Sequence, residues 1–245
     1  MADQIEHTER MLERTPGRST AGADILIYLV VAFGLWELEE LLRRVGAYPY
    51  PGLFDGGMSL ILSFVLVWGL VKWRAQRWRD LGLKKPARWW TIPLWGVVVL
   101  VVSIVAQLTI VPLLARLLNV PPPDLSRYDA VTGNFGLFLI CAGGSMVTGG
   151  FVEEVIYRGF MIDRLGRLFG GGKTGVRVAA LACGIPFGLV HFQWGIGGMM
   201  VTAVMGSVLG IMYLVTKRNL WPLIAAHATM DFILMLQVYL GVLSP

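Results

Sequence analysis

Residues 134–160 read NFGLFLICAGGSMVTGGFVEEVIYRGF. A glycine-rich apolar run long enough to cross a bilayer ends in two adjacent carboxylates, Glu153 and Glu154, and an arginine, Arg158. Ionisable groups at membrane depth are costly, so they carry a functional hypothesis by default. On an α-helix, residues four apart share a face, so Glu154 and Arg158 are expected to pair, in the favourable order with Glu first. Glu153 then points elsewhere and has no partner on its own helix. Two of the three histidines, His191 and His227, lie in later apolar segments. The reading is that they converge with Glu153 on a wet, polar site inside the membrane.

The surrounding chain supports a membrane setting. Of its 245 residues, 56% are hydrophobic and 15% charged, and the mean hydropathy is +0.65. A soluble domain carries roughly 25% charge. Several apolar runs approach the ~20 residues needed to cross the hydrocarbon core. The expected fold is an all-α polytopic transmembrane helix bundle of about seven spans, with its active site in an intramembrane polar cavity. A polar arm at residues 1–22 precedes one transmembrane domain at 23–245. The arm lacks a basic segment followed by a short apolar core, so no cleavable signal peptide is expected. Cys141 and Cys183 lie inside apolar runs and read as small buried hydrophobes.

The spans are expected at about Asp24–Leu42, Gly57–Val71, Trp90–Ala115, Asn134 onward, Val178–Phe192, Met199–Val215 and Leu220–Val242. The Tyr48–Gly52 stretch breaks the chain after the first span, whose charged end (Glu37, Glu39, Glu40, Arg43, Arg44) reads as an interfacial helix end with local ion pairs. Residues 161–177 read as a polar, glycine-rich loop and Gly195–Gly198 as a turn. Gly206 and Gly210 form a small-residue packing face, and the glycines before Glu153 suit close helix approach or equally let the helix loosen beside a cavity. The connections after spans two, four and six, with the N-terminal arm, hold 16 Lys and Arg against 4 on the other side. The positive-inside rule then places the N-terminus in the cytoplasm and the C-terminus outside, as in a multi-pass protein of the cell inner membrane if the source is bacterial. The basic loop from Lys72 to Trp90, interleaved with Trp73, Trp78 and Trp89, reads as touching anionic lipid headgroups rather than nucleic acid.

Three constellations carry chemistry: Glu153-Glu154-x-x-x-Arg158, Phe187-x-x-x-His191 and His227-x-x-x-Asp231. Hydrolysis of a peptide bond needs a base to activate water and donors to hold the developing oxyanion. Glu153 is the natural base, since a carboxylate in a low-dielectric site is more basic than in water. His191 shares the water or binds a metal. His227 donates to the oxyanion, with Asp231 orienting its ring. The alternative is that Glu153, His191, His227 and Asp231 form an N/O set for zinc or another divalent metal. The absence of H-E-x-x-H excludes a zincin-type site. The same residue types also serve proton- or ion-coupled carriers, and the Glu154–Arg158 pair alone reads equally as a structural bolt.

In this order, the motifs resemble the CPBP family of intramembrane proteases, which includes the CAAX prenyl endopeptidases of the Rce1 type and the bacterial Abi proteins. The family pattern is EExxxR, FxxxH and HxxxN, and Asp231 stands where Asn is usual. The Arg79–Leu83 stretch (RDLGL) also resembles a common family feature, and the catalytic core falls at about 134–242. The resemblance implies an endopeptidase, with Glu153 and His191 activating water and His227 and residue 231 holding the oxyanion. Glu154, Arg158 and Phe187 support them. The family mechanism has been described as metal-dependent, with zinc the natural ion, and as glutamate-driven with none. An ionised Asp accepts but cannot donate, so Asp231 is expected to orient His227 or bind metal. The implied substrate is a membrane-associated peptide or protein, with the lipid bilayer as the other partner and no nucleic acid. The alternative function is non-catalytic, a carrier or an immunity-like relative that binds a peptide.

Simple straight spans would leave His191 displaced from Glu153 by roughly 10 Å. A shared site therefore requires span five to start early, around Lys173–Val178, or Gly195–Gly198 to dip inward.

Overall fold

A computed structural model describes residues 17–47, 56–86 and 88–243. Most of the expected polar arm and the Tyr48–Gly52 break lie outside these residues. Among the described residues every regular element is helical. The helices are α1 (Arg18–Arg44), α2 (Gly57–Trp73), α3 (Thr91–Leu118), α4 (Phe135–Val147), α5 (Ile162–Leu168), α6 (Gly172–Ala182), α7 (Gly184–Leu189), α8 (Gly195–Val215) and α9 (Trp221–Tyr239). A π-helix, Thr148–Met161, joins α4 to α5, and short 3-10 turns occupy Ser126–Val131 and Phe192–Trp194.

Among the described residues, four helical stretches are long and apolar enough to cross a membrane: Thr91–Leu118, Phe135–Leu168, Phe192–Val215 and Trp221–Tyr239. The sequence suggested seven spans, and the three that fall short do so for distinct reasons. Helix α1 has 27 residues, with Asp24 near its start and Glu37, Glu39 and Glu40 near its end. Helix α2 has 17 residues. The fifth segment is split at Cys183–Gly184 into α6 and α7. Along α3 the exposed side chains include Val97, Val101, Val105 and Leu108, a surface that suits lipid and not water.

Residues 161–168, read from sequence as loop, continue the helix of the preceding span, and only Phe169–Gly171 separates α5 from α6. Their charges turn inward: Arg164 is fully buried and meets Asp24 of α1 at 2.9 Å. Asp24 also binds Arg74 at the end of α2, at 2.7 Å. This buried carboxylate therefore ties three elements together. Gly195–Gly198 is the first turn of α8 and not a loop. A Cβ at Gly197 would collide with the carbonyl of Pro121, and one at Gly198 with Trp194. Gly197 thereby admits the chain segment that follows α3, and Gly198 admits the Trp194 side chain.

Small residues set the packing around the site. Glycines 206 and 210 of α8 lie against Gly184 and Ala180, and Gly184 and Gly188 in turn lie against Ala203 and Met199. The α7–α8 contact is thus small-on-small from both sides, and the Gly184-x-x-x-Gly188 half of it was not singled out in the sequence. Gly149 and Gly150 let α9 approach, since a Cβ on Gly150 would sit 2.6 Å from that of Ala228. Gly143 and Gly144, expected to do the same, face open space.

The connections after α2, α5 and α8 meet at one end of the bundle: Arg74 reaches Asp24 beside Arg164, and Lys84 donates to the Lys217 carbonyl. At the other end Glu39 accepts from the Gly56 and Ser59 backbone N–H groups and caps α2. There too the Asp124 N–H donates to the Trp194 carbonyl.

Candidate active site

The π-helix is where the site begins. Its i→i+5 bonding widens the turn, and such turns are frequent at functional sites. On an α-helix, adjacent side chains diverge by about 100°. The wider turn reduces that angle, so Glu153 and Glu154 reach the same histidine from two sides. Glu154 Oε1 lies 2.7 Å from His227 Nδ1, and Glu153 Oε2 lies 3.9 Å from His227 Nε2. The sequence reading had Glu153 converging with His191 and His227, and Asp231 orienting His227 or binding metal. The structure assigns the orienting contact to Glu154 instead. Asp231 Oδ1 stands on the opposite edge of the ring, 3.6 Å from Nε2.

The expected Glu154–Arg158 pair is present, with Arg158 Nη1 donating to Oε1 at 2.8 Å and both side chains fully buried. The guanidinium also lies over the Phe187 ring, 4.5 Å from its centroid. Breaking such a buried pair from one side costs ~3–5 kcal/mol, because the other charge is left uncompensated. The pair is a structural bolt, and through Glu154 it also fixes a histidine.

His191 is brought in by the broken fifth segment. Helix α6 starts at Gly172, the early start that a shared site requires, and the chain stops being helical at Val190. The imidazole Nδ1 is 2.7 Å from the Phe187 carbonyl. A carbonyl only accepts, so Nδ1 carries the proton and Nε2 of the neutral ring presents a lone pair. That Nε2 lies 4.0 Å from Glu153 Oε1. At His227 a carboxylate occupies Nδ1, and Nε2 is directed at Glu153 and Asp231.

Phe187 is the hub of these contacts. Its ring touches Tyr157 edge-on at 4.9 Å, His191 at 4.9 Å and His227 at 6.1 Å between centroids. Tyr157 is itself fixed by the Tyr28 hydroxyl of α1, which donates to its hydroxyl at 3.0 Å. Sequence reasoning passed over Tyr157, although it stands four residues after Glu153 in the same motif. Trp194 packs 5.1 Å from His191, and Tyr128 packs 6.3 Å from Trp194, closing one side. The Arg79–Leu83 stretch docks beneath the site: Tyr213 donates to the Leu81 carbonyl at 3.0 Å, and Gly82, at φ 105°, fits against Leu220.

The donor types Glu153, His191, His227 and Asp231 are suited to zinc. Their arrangement is not. The nitrogen–oxygen separations of 3.6, 3.9 and 4.0 Å exceed the roughly 3.4 Å between two donors held ~2.1 Å from a tetrahedral ion. Among the described residues no three His, Cys, Asp or Glu side chains are grouped to hold a metal. A gap near 4 Å between a carboxylate oxygen and an imidazole nitrogen instead accommodates one water, hydrogen-bonded to both at ~2.8 Å.

Fold and site together define a multi-pass helical membrane protein with a buried Glu–His centre. Residues 135–233 match the family model Rce1-like, type II CAAX prenyl endopeptidase. This is the CPBP/CAAX protease family that the three motifs resemble, and the matched segment contains all of them. The match supports intramembrane endopeptidase activity of the CAAX type. No curated protein and no solved structure matches the chain significantly.

Proposed function

We propose that this protein is an intramembrane endopeptidase that hydrolyses a peptide bond of a membrane-associated protein or peptide. The observation that carries the reading is the placement of Glu153 between two imidazole Nε2 atoms, at 4.0 Å from His191 and 3.9 Å from His227, with both Nδ1 atoms engaged elsewhere. A water held between Glu153 and His191 Nε2 gives one proton to Glu153 as its oxygen attacks the scissile carbonyl carbon. The carbonyl oxygen becomes the oxyanion and accepts a hydrogen bond from the Nε2–H of His227, protonated on both nitrogens. Glu154 and Asp231, on opposite edges of that ring, stabilise its positive charge. Glu153 then passes the proton to the amide nitrogen as the C–N bond breaks, leaving a new carboxyl terminus and a new amine. Preorganised donors of this kind act more strongly in a low-dielectric site than in water.

No step of this route passes through a metal. Zinc remains a proposal to be measured: wild-type protein and His191→Ala are compared for metal content after purification in detergent. About one zinc per chain, lost in the variant, would replace the water-only route with a metal-bound one.

Orientation enters as a proposal too. The basic end of the bundle faces the cytoplasm, by the positive-inside rule. To test the function, membranes from cells expressing wild type or Glu153→Gln are compared for new protein termini by mass spectrometry. Termini that depend on Glu153 are expected. Identical termini, with normal folding of the variant, would favour a non-catalytic peptide-binding protein.

A further inference from the structure

Four arginines gather at the basic end of the bundle. Among the described residues, Arg74, Arg164, Arg167 and Arg218 gather around the carboxylates of Asp24 and Asp163. Arg164 has no exposed surface; its Nε meets Asp24 at 2.9 Å and its Nη1 meets Asp163 Oδ2 at 2.6 Å. Its Nη2 is buried with no acceptor. Arg218 approaches the other oxygen of Asp163, with Nη2 at 3.9 Å, and its Nε is also buried with no acceptor. Two guanidinium groups therefore flank one carboxylate, each with an unsatisfied N–H. Buried donors in native proteins nearly always have a partner, and an unpaired one is costly. Asp163 is already engaged by Arg164, Arg167 and Gln76.

The partner that fits is an oxyanion. Guanidinium forks match phosphate geometry and bind it more strongly than a neutral acceptor. Lys84 and Lys217 lie on the same rim, where the Lys84 ammonium donates to the Lys217 carbonyl at 2.6 Å. Trp73, beside Arg74, is 71% exposed, as suits an aromatic at the headgroup level. We infer that the Arg164–Arg218 cluster binds a phosphate-bearing anion between α5 and the α8–α9 connection, from a lipid headgroup or as free phosphate. This is a built site in the bundle, distinct from diffuse contact of the basic loop with a charged membrane surface, and it does not depend on the proteolytic reading.

The test uses full-length, delipidated protein in neutral detergent. Thermal unfolding is followed with inorganic phosphate against sodium chloride at matched ionic strength, and with phosphatidylglycerol against phosphatidylcholine in mixed micelles. Binding is expected to raise Tm by at least ~2 °C over the matched control. The rise should fall by half or more in Arg218→Gln. A response to inorganic phosphate assigns a free anion. A response to phosphatidylglycerol alone assigns a lipid headgroup. Absence of both responses in the wild type overturns the site, as does an undiminished response in Arg218→Gln. Should that variant fail to fold, Arg218→Lys keeps the charge and removes the Nε–H, and a full response there overturns the site equally.

Discussion

His227 Nδ1 and Arg158 Nη1 both donate to one oxygen of Glu154, at 2.7 and 2.8 Å. The second carboxylate oxygen is buried without a partner. A single acceptor atom thus joins the orientation of a site histidine to a structural ion pair. In Glu154→Gln the charge that holds both donors is gone. A stability loss of ~3–5 kcal/mol is expected, because Arg158 is left buried without its counter-charge. Proteolysis should fall at least ~10-fold as His227 loses its register. Thermal unfolding in detergent and cleavage of a substrate found by terminus mapping check the two effects.

Glu153 behaves differently. Its nearest polar partners stand at 3.9 and 4.0 Å, so it holds no direct hydrogen bond to either histidine. Glu153→Gln should leave the thermal midpoint within ~2 °C while cleavage falls ~10²–10⁴-fold, the usual contribution of a general base. Cleavage within tenfold of wild type would remove Glu153 from the base role.

Arg158→Leu leaves Glu154 buried without its cation and is expected to cost ~3–5 kcal/mol. Lysine is a poor substitute, because it lacks the planar fork that pairs with Glu154 and stacks on Phe187. Joint replacement of Glu154 and Arg158 by leucine should recover part of the stability and none of the activity. Measured unfolding of the two single variants and the double variant gives the coupling directly.

Gly150 and Gly143 provide an internal contrast within one span. Gly150→Ala places a methyl 2.6 Å from Ala228 and pushes α9 away from the π-helix. A loss of ~1–3 kcal/mol is expected, with lower activity because His227 rides on α9. Gly143→Ala meets nothing within 4 Å and should be neutral or stabilising by up to ~1 kcal/mol, as for a helical glycine made alanine. Equal effects from the two would argue against the close packing of α9 on the π-helix.

Asp231 lies 3.6 Å from His227 Nε2 and close over Gly149. In the proposed route its carboxylate stabilises a charged ring, which an amide does not do. Asp231→Asn is therefore expected to lower cleavage by about 10-fold, which corresponds to ~1.4 kcal/mol of transition-state stabilisation. Unchanged cleavage would leave Asp231 without a part in the chemistry.

The membrane setting, the helical class and the identities of Glu153, Glu154, Arg158, Phe187, His191, His227 and Asp231 as a group were all legible in the chain. They depend on local properties: the length of apolar runs, the cost of a charge within one, and spacings of four residues. The helix breaks were legible only in part, because run length says little about where a helix breaks, as at Cys183–Gly184. The inward course of residues 161–168 was also hidden. Asp163 and Arg164 read as solvated loop charges until Asp24, 140 residues from Arg164, supplies the partner that makes burial affordable. The tertiary structure alone decided which carboxylate holds His227. Glu154 and His227 are 73 residues apart, and no periodicity in the chain encodes a 2.7 Å contact between two helices. That contact follows from the widened turn of the π-helix and from the glycines that let α9 approach it.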